Sequence, residues 1–100
     1  MLDVRQTLSL QRWLSRLRDR TAKARLVRRI ERLAFGHFGD HRSLGAGLFE
    51  LREHFGPGYR VYYTFRADRL VLLLAGGDKS SQASDIARAR IMINNLDAGS

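Results

Sequence analysis

Residues 48–81 limit what this chain can become. Two runs rich in aromatic and β-branched residues, 48–55 and 59–65, are separated only by Gly56-Pro57-Gly58. Proline presets φ for the second position of a tight turn, and glycine accepts the positive φ that a type II turn needs next. Strands joined by so short a loop are antiparallel neighbours. Ala67-Asp68 marks a second short reversal, ahead of the apolar run 70–75. The expectation is a meander of three strands that leads through Gly76-Gly77-Asp78-Lys79-Ser80-Ser81 into a helix.

Alternation assigns faces, because side chains along a strand point to opposite sides with period two. Phe49 and Leu51 share one face of the first strand; Glu50, Arg52 and His54 share the other. In the second strand Tyr59, Val61, Tyr63 and Phe65 oppose Arg60, Tyr62 and Thr64. The apolar face needs cover, and the Arg-bearing face is expected to stand partly open. The run 70–75 is apolar on both sides and so reads as central or covered twice.

The remainder reads as helices that cover this sheet. Residues 2–6 suit an edge strand, and Thr7 or Ser9 caps a helix whose stripe is Leu10, Trp13, Leu14 and Leu17. Arg12, Arg16 and Arg18 face elsewhere, and Trp13 is most simply a core anchor. After a break at Asp19-Arg20, with Thr21 as the next cap, a second helix spans about 22–35 on Leu26, Ile30 and Leu33 and ends at Gly36. The two form an antiparallel hairpin that covers the apolar face. Residues 36–47 carry four glycines and little periodicity, and read as a loop. A last helix over about 81–96 is capped by Asp78, Ser80 or Ser81 and buries Ile86, Ala89, Ile93 and Leu96; the tail 97–100 is expected to fray. The fold class is α+β, one domain over 1–100, in β-α-α-β-β-β-α order.

Composition narrows the function. There is no cysteine, hence no disulfide framework and no thiolate metal site, which suits a reducing cytoplasm. No run is long enough to span a membrane, and the N-terminus lacks a signal pattern, so a cytosolic protein is expected. The net charge is +8, and residues 1–35 alone hold ten Lys or Arg against three acids. Such a surface favours RNA, DNA, ribosomes or an acidic protein partner; a well-solvated helix face is the plainer reading of the same charge. Lys23, Arg25, Arg28, Arg29 and Arg32 crowd the second helix and are the candidate binding surface. Gly77-Asp78-Lys79-Ser80 resembles a nucleotide-binding loop only superficially, since the upstream glycine is misplaced. His37 and His41 lack the partners of a metal site, so neither metal nor cofactor is expected.

Several local motifs resemble the RelE/ParE toxin superfamily, and within it the HigB-like branch of addiction-module killer proteins. They are Lys23-Ala24-Arg25, Ile30-x-x-Leu33, Phe38-Gly39-Asp40, Leu44-Gly-x-Gly-Leu48-x-Glu50-Leu51-Arg52 and Phe55-Gly-Pro-Gly-Tyr59-Arg60-Val61-Tyr62-Tyr63. The stretch Leu72-Leu-Leu-Ala-Gly76-Gly-Asp-Lys79-Ser, with Gln82 and Asp85-Ile86-Ala87-Arg88-Ala89, completes the set. The resemblance implies a RelE-like fold and the toxin of a type II toxin–antitoxin system. Many such toxins are metal-independent, ribosome-dependent endoribonucleases that cut messenger RNA. The branch pairs with a helix-turn-helix antitoxin, and the complex binds operator DNA. Other members of the superfamily inhibit DNA gyrase instead. An inert member that only completes a repressor complex is a third possibility.

RNA cleavage by this route needs the 2′-hydroxyl deprotonated, the phosphorane charge stabilised and the leaving oxygen protonated. Arg52 and Arg60 match cationic positions of the family and would grip the scissile phosphate, with Lys79 adding charge. His54 is the candidate base or acid, Glu50 a possible second base, and Tyr62 a residue that could stack a base or donate a proton. Each has a structural alternative: a charge network of Arg52 and Arg60 with Glu50, an exposed His54 beside a turn, and a packed Tyr62. Lys79 opposes the helix dipole at its position, a local conflict more often found at functional residues.

Overall fold

The computed structural model describes residues 1–98. Strand β1 (Asp3–Gln6) leads into helices α1 (Leu8–Arg16) and α2 (Arg20–Leu33). Strands β2 (His41–Gly45), β3 (Leu48–Glu53), β4 (Tyr59–Arg66) and β5 (Leu70–Gly77) follow. A single 3-10 turn, Lys79–Ser81, opens helix α3 (Gln82–Ala98). The expected fraying of the tail therefore does not extend to Asp97 and Ala98, and its last two positions lie outside the described residues.

The strands form one sheet in the order β1-β5-β4-β3-β2. The β3-β4-β5 meander is antiparallel with Arg52 opposite Arg60 and Arg60 opposite Gly77. β1 joins β5 in parallel, so the sheet is mixed rather than purely antiparallel, and β5 is central as its apolar run requires. The region 36–47, expected as loop, contains β2 and its hairpin with β3. Ala46 and Gly47 both take positive φ, 51° and 81°, the pattern of a type I′ hairpin turn. β2 escaped notice because every residue in it except Leu44 is exposed, leaving no alternation to read.

Caps and turns follow their chemistry with small shifts. Thr7 caps α1 by accepting from the Leu10 amide, while its hydroxyl donates to the Leu74 carbonyl at 2.6 Å and pins the helix to β5. Asp19, not Thr21, caps α2 through the Ala22 amide; an aspartate before the first turn also suits the helix dipole. Gly58 has the positive φ expected after Pro57, and Gly56 has it too, widening the reversal.

The two faces of the sheet are covered differently. Leu10, Leu14, Leu26, Ile30 and Leu33 of the helical hairpin pack on Leu51, Val61, Tyr63, Val71 and Leu73, as the alternation required. On the other face α3 lies over Leu48, Tyr62 and Leu74 with Ala89 and Ile93. The Arg-bearing face is therefore closed over Glu50, Arg60, Tyr62 and Thr64 and stays open at its Arg52 and His54 end. Leu96, expected to be buried, is exposed, and the buried line of α3 is Asp85, Ala89 and Ile93 at helical spacing. No helix among the described residues is long and apolar enough to cross a membrane.

A bulge settles the geometry at the end of β5. Tyr62 pairs with Ala75 and Tyr63 with Leu73, leaving Leu74 unpaired. One extra residue reverses which neighbours point to which face. Gly76 thereby faces the hairpin and Gly77 faces α3. A Cβ at Gly76 would lie 2.2 Å from the Trp13 ring, and one at Gly77 would lie 1.8 Å from the Asp85 carboxylate. The glycine pair exists because a side chain presses on the strand from each side.

Candidate functional site

The candidate residues gather at one end of the sheet, where β3 ends, β4 begins and β5 ends. Asp40, just before β2, is the hub. Its Oδ1 accepts from Nε and Nη2 of Arg52 at 3.2 and 2.8 Å, and its Oδ2 meets Nε2 of His54 at 2.7 Å. The Arg52 amide also donates to the Asp40 carbonyl at 2.9 Å. Hydrogen bonds from Arg52 hold the Asp40 carboxyl below the usual carboxylate range, outweighing a smaller upward push from burial; His54 adds to the lowering. His54 is 72% exposed and Arg52 29%, so the outer edge of this cluster faces solvent.

Arg29 fixes the cluster from below. Its Nη1 donates to the Arg52 carbonyl at 2.7 Å, and its Nη2 donates to the carbonyls of Phe38 and Asp40, both at 3.0 Å. It also sits 3.6 Å from Glu53. Of the five cations expected on α2, Arg29 is thus engaged with main chain. Arg25 lies 4.6 Å over the Phe55 ring, and Arg28 and Arg32 are exposed. Arg25, Arg28, Arg29 and Arg32 line an open cleft of about 270 Å³ with Glu53; Lys23, half-buried, is not part of it.

The inner part of the site is buried. Arg60 is only 7% exposed; its Nη1 donates to the carbonyls of Gly58 and Tyr59, while its Nε meets no partner among the described residues. Gly58 separates it from Lys79: a Cβ there would lie 3.4 Å from both the Arg60 guanidinium and the Lys79 Cβ. Lys79 is exposed, and its amide donates to the Pro57 carbonyl at 3.4 Å, tying the 3-10 turn to the β3–β4 reversal. Asp78 caps that turn with Ser81; the Ser80 hydroxyl is the main cause of its lowered carboxyl pKa.

Glu50 and Tyr62 stand opposite each other one step further from the strand ends. Glu50 is fully buried, accepting from Arg42 Nε at 2.6 Å and from Gln82 Nε2 at 3.2 Å. The Tyr62 hydroxyl is buried without a partner among the described residues, and burial, reinforced by Glu50, raises its pKa. Arg52, His54 and Lys79 thus reach solvent, whereas Arg60, Glu50 and Tyr62 lie beneath.

Sequence reasoning gave Asp40 no chemical role. Its contacts join residues 12 and 14 positions apart, from a segment without periodicity. The Phe38-Gly39-Asp40 motif was the available signal. His41 bonds the Gly39 carbonyl, and the described residues contain no group of three or more side chains placed to hold a metal ion.

This arrangement can orient an imidazole, present a guanidinium beside it and draw in a polyanion. The family model described as "Phage derived protein Gp49-like (DUF891)" matches residues 12–96. A protein of Haemophilus influenzae described as "Uncharacterized protein" is 46% identical over 95 residues, covering 95% of this chain and 96% of that protein. No solved structure matches the chain significantly. The match runs from within α1 to the last turn of α3 and takes in every residue of the cluster, so the chain belongs to the Gp49-like family of phage-derived proteins, a family of the RelE-like toxin type.

Proposed function

We propose that this toxin is a metal-independent, ribosome-dependent messenger RNA endoribonuclease of the HigB-like kind, acting in the cytoplasm. The observation that carries the reading is Asp40 bridging Arg52 and His54. A carboxylate on one imidazole nitrogen fixes the ring and leaves the other nitrogen free to move a proton. His54 serves as the general base toward the 2′-hydroxyl or the acid toward the leaving oxygen. Arg52 and Lys79 face the phosphate, and Arg60 supports them from behind with its positive charge. Glu50 and Tyr62 support β3 and β4 from within. Lys23, Arg25, Arg28 and Arg32 meet ribosomal RNA or an acidic antitoxin segment. The partner that neutralises the toxin is a helix-turn-helix antitoxin, and the pair binds operator DNA.

The test is to add the purified protein to translating ribosomes and map transcript ends. His54→Ala should lower cleavage about 100-fold or more, the usual share of a general acid or base. Cleavage by His54→Ala at the wild-type rate would remove His54 from the chemistry. The burial of Arg60 favours one other reading, a ParE-like toxin that inhibits DNA gyrase without cutting RNA. Loss of supercoiling with intact transcripts would select it.

A further inference from the structure

A second basic cleft lies beyond the other side of β5. It has a volume of about 340 Å³ and is lined by Ser9, Arg12, Trp13, Arg16, Gly76 and Arg88. β1 pairs with β5 only as far as Leu73. There Thr7 takes the Leu73 and Leu74 carbonyls and the chain turns into α1, so no strand flanks Gly76 on that side. The open strand edge forms the floor, and the Trp13 ring lies against Gly76. Arg12 and Arg16, one turn apart on α1, are exposed and have no acidic partner among the described residues. Arg88 enters from α3, paired to Asp85 on one side and 59% exposed. Asp85 is itself buried against Gly77, and no acid lines the cleft.

We propose that this cleft binds one nucleotide of single-stranded RNA beside the cleavage site, with its phosphate on Arg12 and Arg16 and its base against Trp13. The assignment rests on the nuclease reading for the role of the bound RNA, but not for the binding itself. Guanidinium forks match phosphate oxygens, and single-stranded bases stack on aromatic side chains. The volume is at the small end of the roughly 300–1,000 Å³ of ligand sites, which suits one nucleotide better than a folded partner. The distance also fits. Gly77 stands opposite Arg60 and Arg60 opposite Arg52, so β5, whose far edge floors the cleft, lies about two strand spacings, ~10 Å, from Arg52 on β3. A strand gripped at Arg52 and His54 can continue past Lys79 into it. The cleft thus sets the position of the RNA along the protein, which the buried Arg60 cannot do.

The experiment uses the full chain and a 2′-O-methyl RNA oligonucleotide, which cannot be cut because the attacking hydroxyl is blocked. Trp13 is the chain's single tryptophan, so its fluorescence reports on the cleft alone. The oligonucleotide should quench it. Arg12→Ala with Arg16→Ala should weaken binding at least 10-fold and flatten the dependence of log K on log salt by about 0.7, the share of the one phosphate they hold. Both side chains are exposed, and circular dichroism confirms that the double variant folds. His54→Ala should lose cleavage while the oligonucleotide still quenches Trp13. If the wild type binds and quenches but cuts no transcript, the nuclease reading fails and the RNA site stands. If it cuts transcripts and the double variant binds and cuts equally well, the cleft assignment fails alone. Quenching by a polyglutamate peptide but not by RNA overturns the assignment in favour of a protein partner.

Discussion

The two faces of the sheet solve burial in opposite ways. Beneath the helical hairpin the core is aliphatic and aromatic, and its strand residues alternate cleanly. Between α3 and the sheet the buried set includes Glu50, Arg60, Thr64 and Asp85, with the Tyr62 hydroxyl and Arg60 Nε without a partner among the described residues. Burying polar atoms without partners is costly, about 1–3 kcal/mol each. A chain selected for stability alone would fill both faces as it fills the first. The hairpin face holds the fold together. The α3 face gives up stability to keep charged groups close to the strand ends where Arg52, His54 and Lys79 emerge.

The change with the largest expected effect strikes the α3 face at the end of β5. Gly77→Ala would put a Cβ 1.8 Å from the Asp85 carboxylate and 2.7 Å from the Ser81 hydroxyl. Neither can withdraw freely, because Ser81 donates to Asp85 at 2.5 Å and Arg88 holds the other carboxylate oxygen. The first turn of α3 would have to lift. A loss of about 3 kcal/mol or more is expected, at the upper end of overpacking costs, read by urea denaturation. A loss under ~1 kcal/mol would mean that α3 sits loosely on the sheet and that the α3 face is not a packed core.

A paired measurement separates the faces directly. Leu26→Ala on the hairpin side removes a buried side chain and leaves a cavity, with an expected loss of about 3 kcal/mol. Tyr62→Phe on the α3 side removes only a buried hydroxyl that has no partner among the described residues. It should be neutral or raise stability by about 1 kcal/mol. A loss of that size would show the hydroxyl bonded in solution and would narrow the contrast between the faces.

The same contrast explains what could be read beforehand. The hairpin face was legible because α1, α2, β3 and β4 carry plain periodicity, and Thr7 and Gly36 mark where helices start and stop. The α3 face was read less well. Its helix buries Asp85 in the line where an apolar residue is expected, which shifted the inferred stripe towards Ile86 and Leu96. The bulge at Leu74 leaves no mark in a run of consecutive leucines, yet it decides where Gly76 and Gly77 point. Arg60 was identified as a cation on the right face, but its burial depends on how α3 and the Gly58 reversal close around it. Asp40 could not be assigned a role because its partners meet only in the folded chain.

Asp40 offers the smallest and most selective test. Its folded-state carboxyl is lowered mainly by the Arg52 hydrogen bonds, so ionised Asp40 favours the folded state. That contribution is fully present above the ordinary carboxylate value of about 3.9 and is lost as pH falls through the lower folded-state value. Asp40→Asn keeps the shape and an acceptor oxygen but removes the charge. The side chain is 37% exposed, so solvent screening limits the expected loss at pH 7 to about 1 kcal/mol or less. The gap between wild type and variant should narrow as the medium is acidified through and below that range, because the wild-type carboxyl progressively takes up its proton. Urea denaturation at pH 7 and near pH 2.5 measures it. A gap unchanged with pH would assign the effect to packing at the β2 edge. Cleavage should fall far more than stability, because a neutral amide orients the His54 ring poorly and cannot stabilise its protonated form. If cleavage and stability fall together, Asp40 belongs to the scaffold; if cleavage alone falls, it belongs to the chemistry at the open end of the sheet.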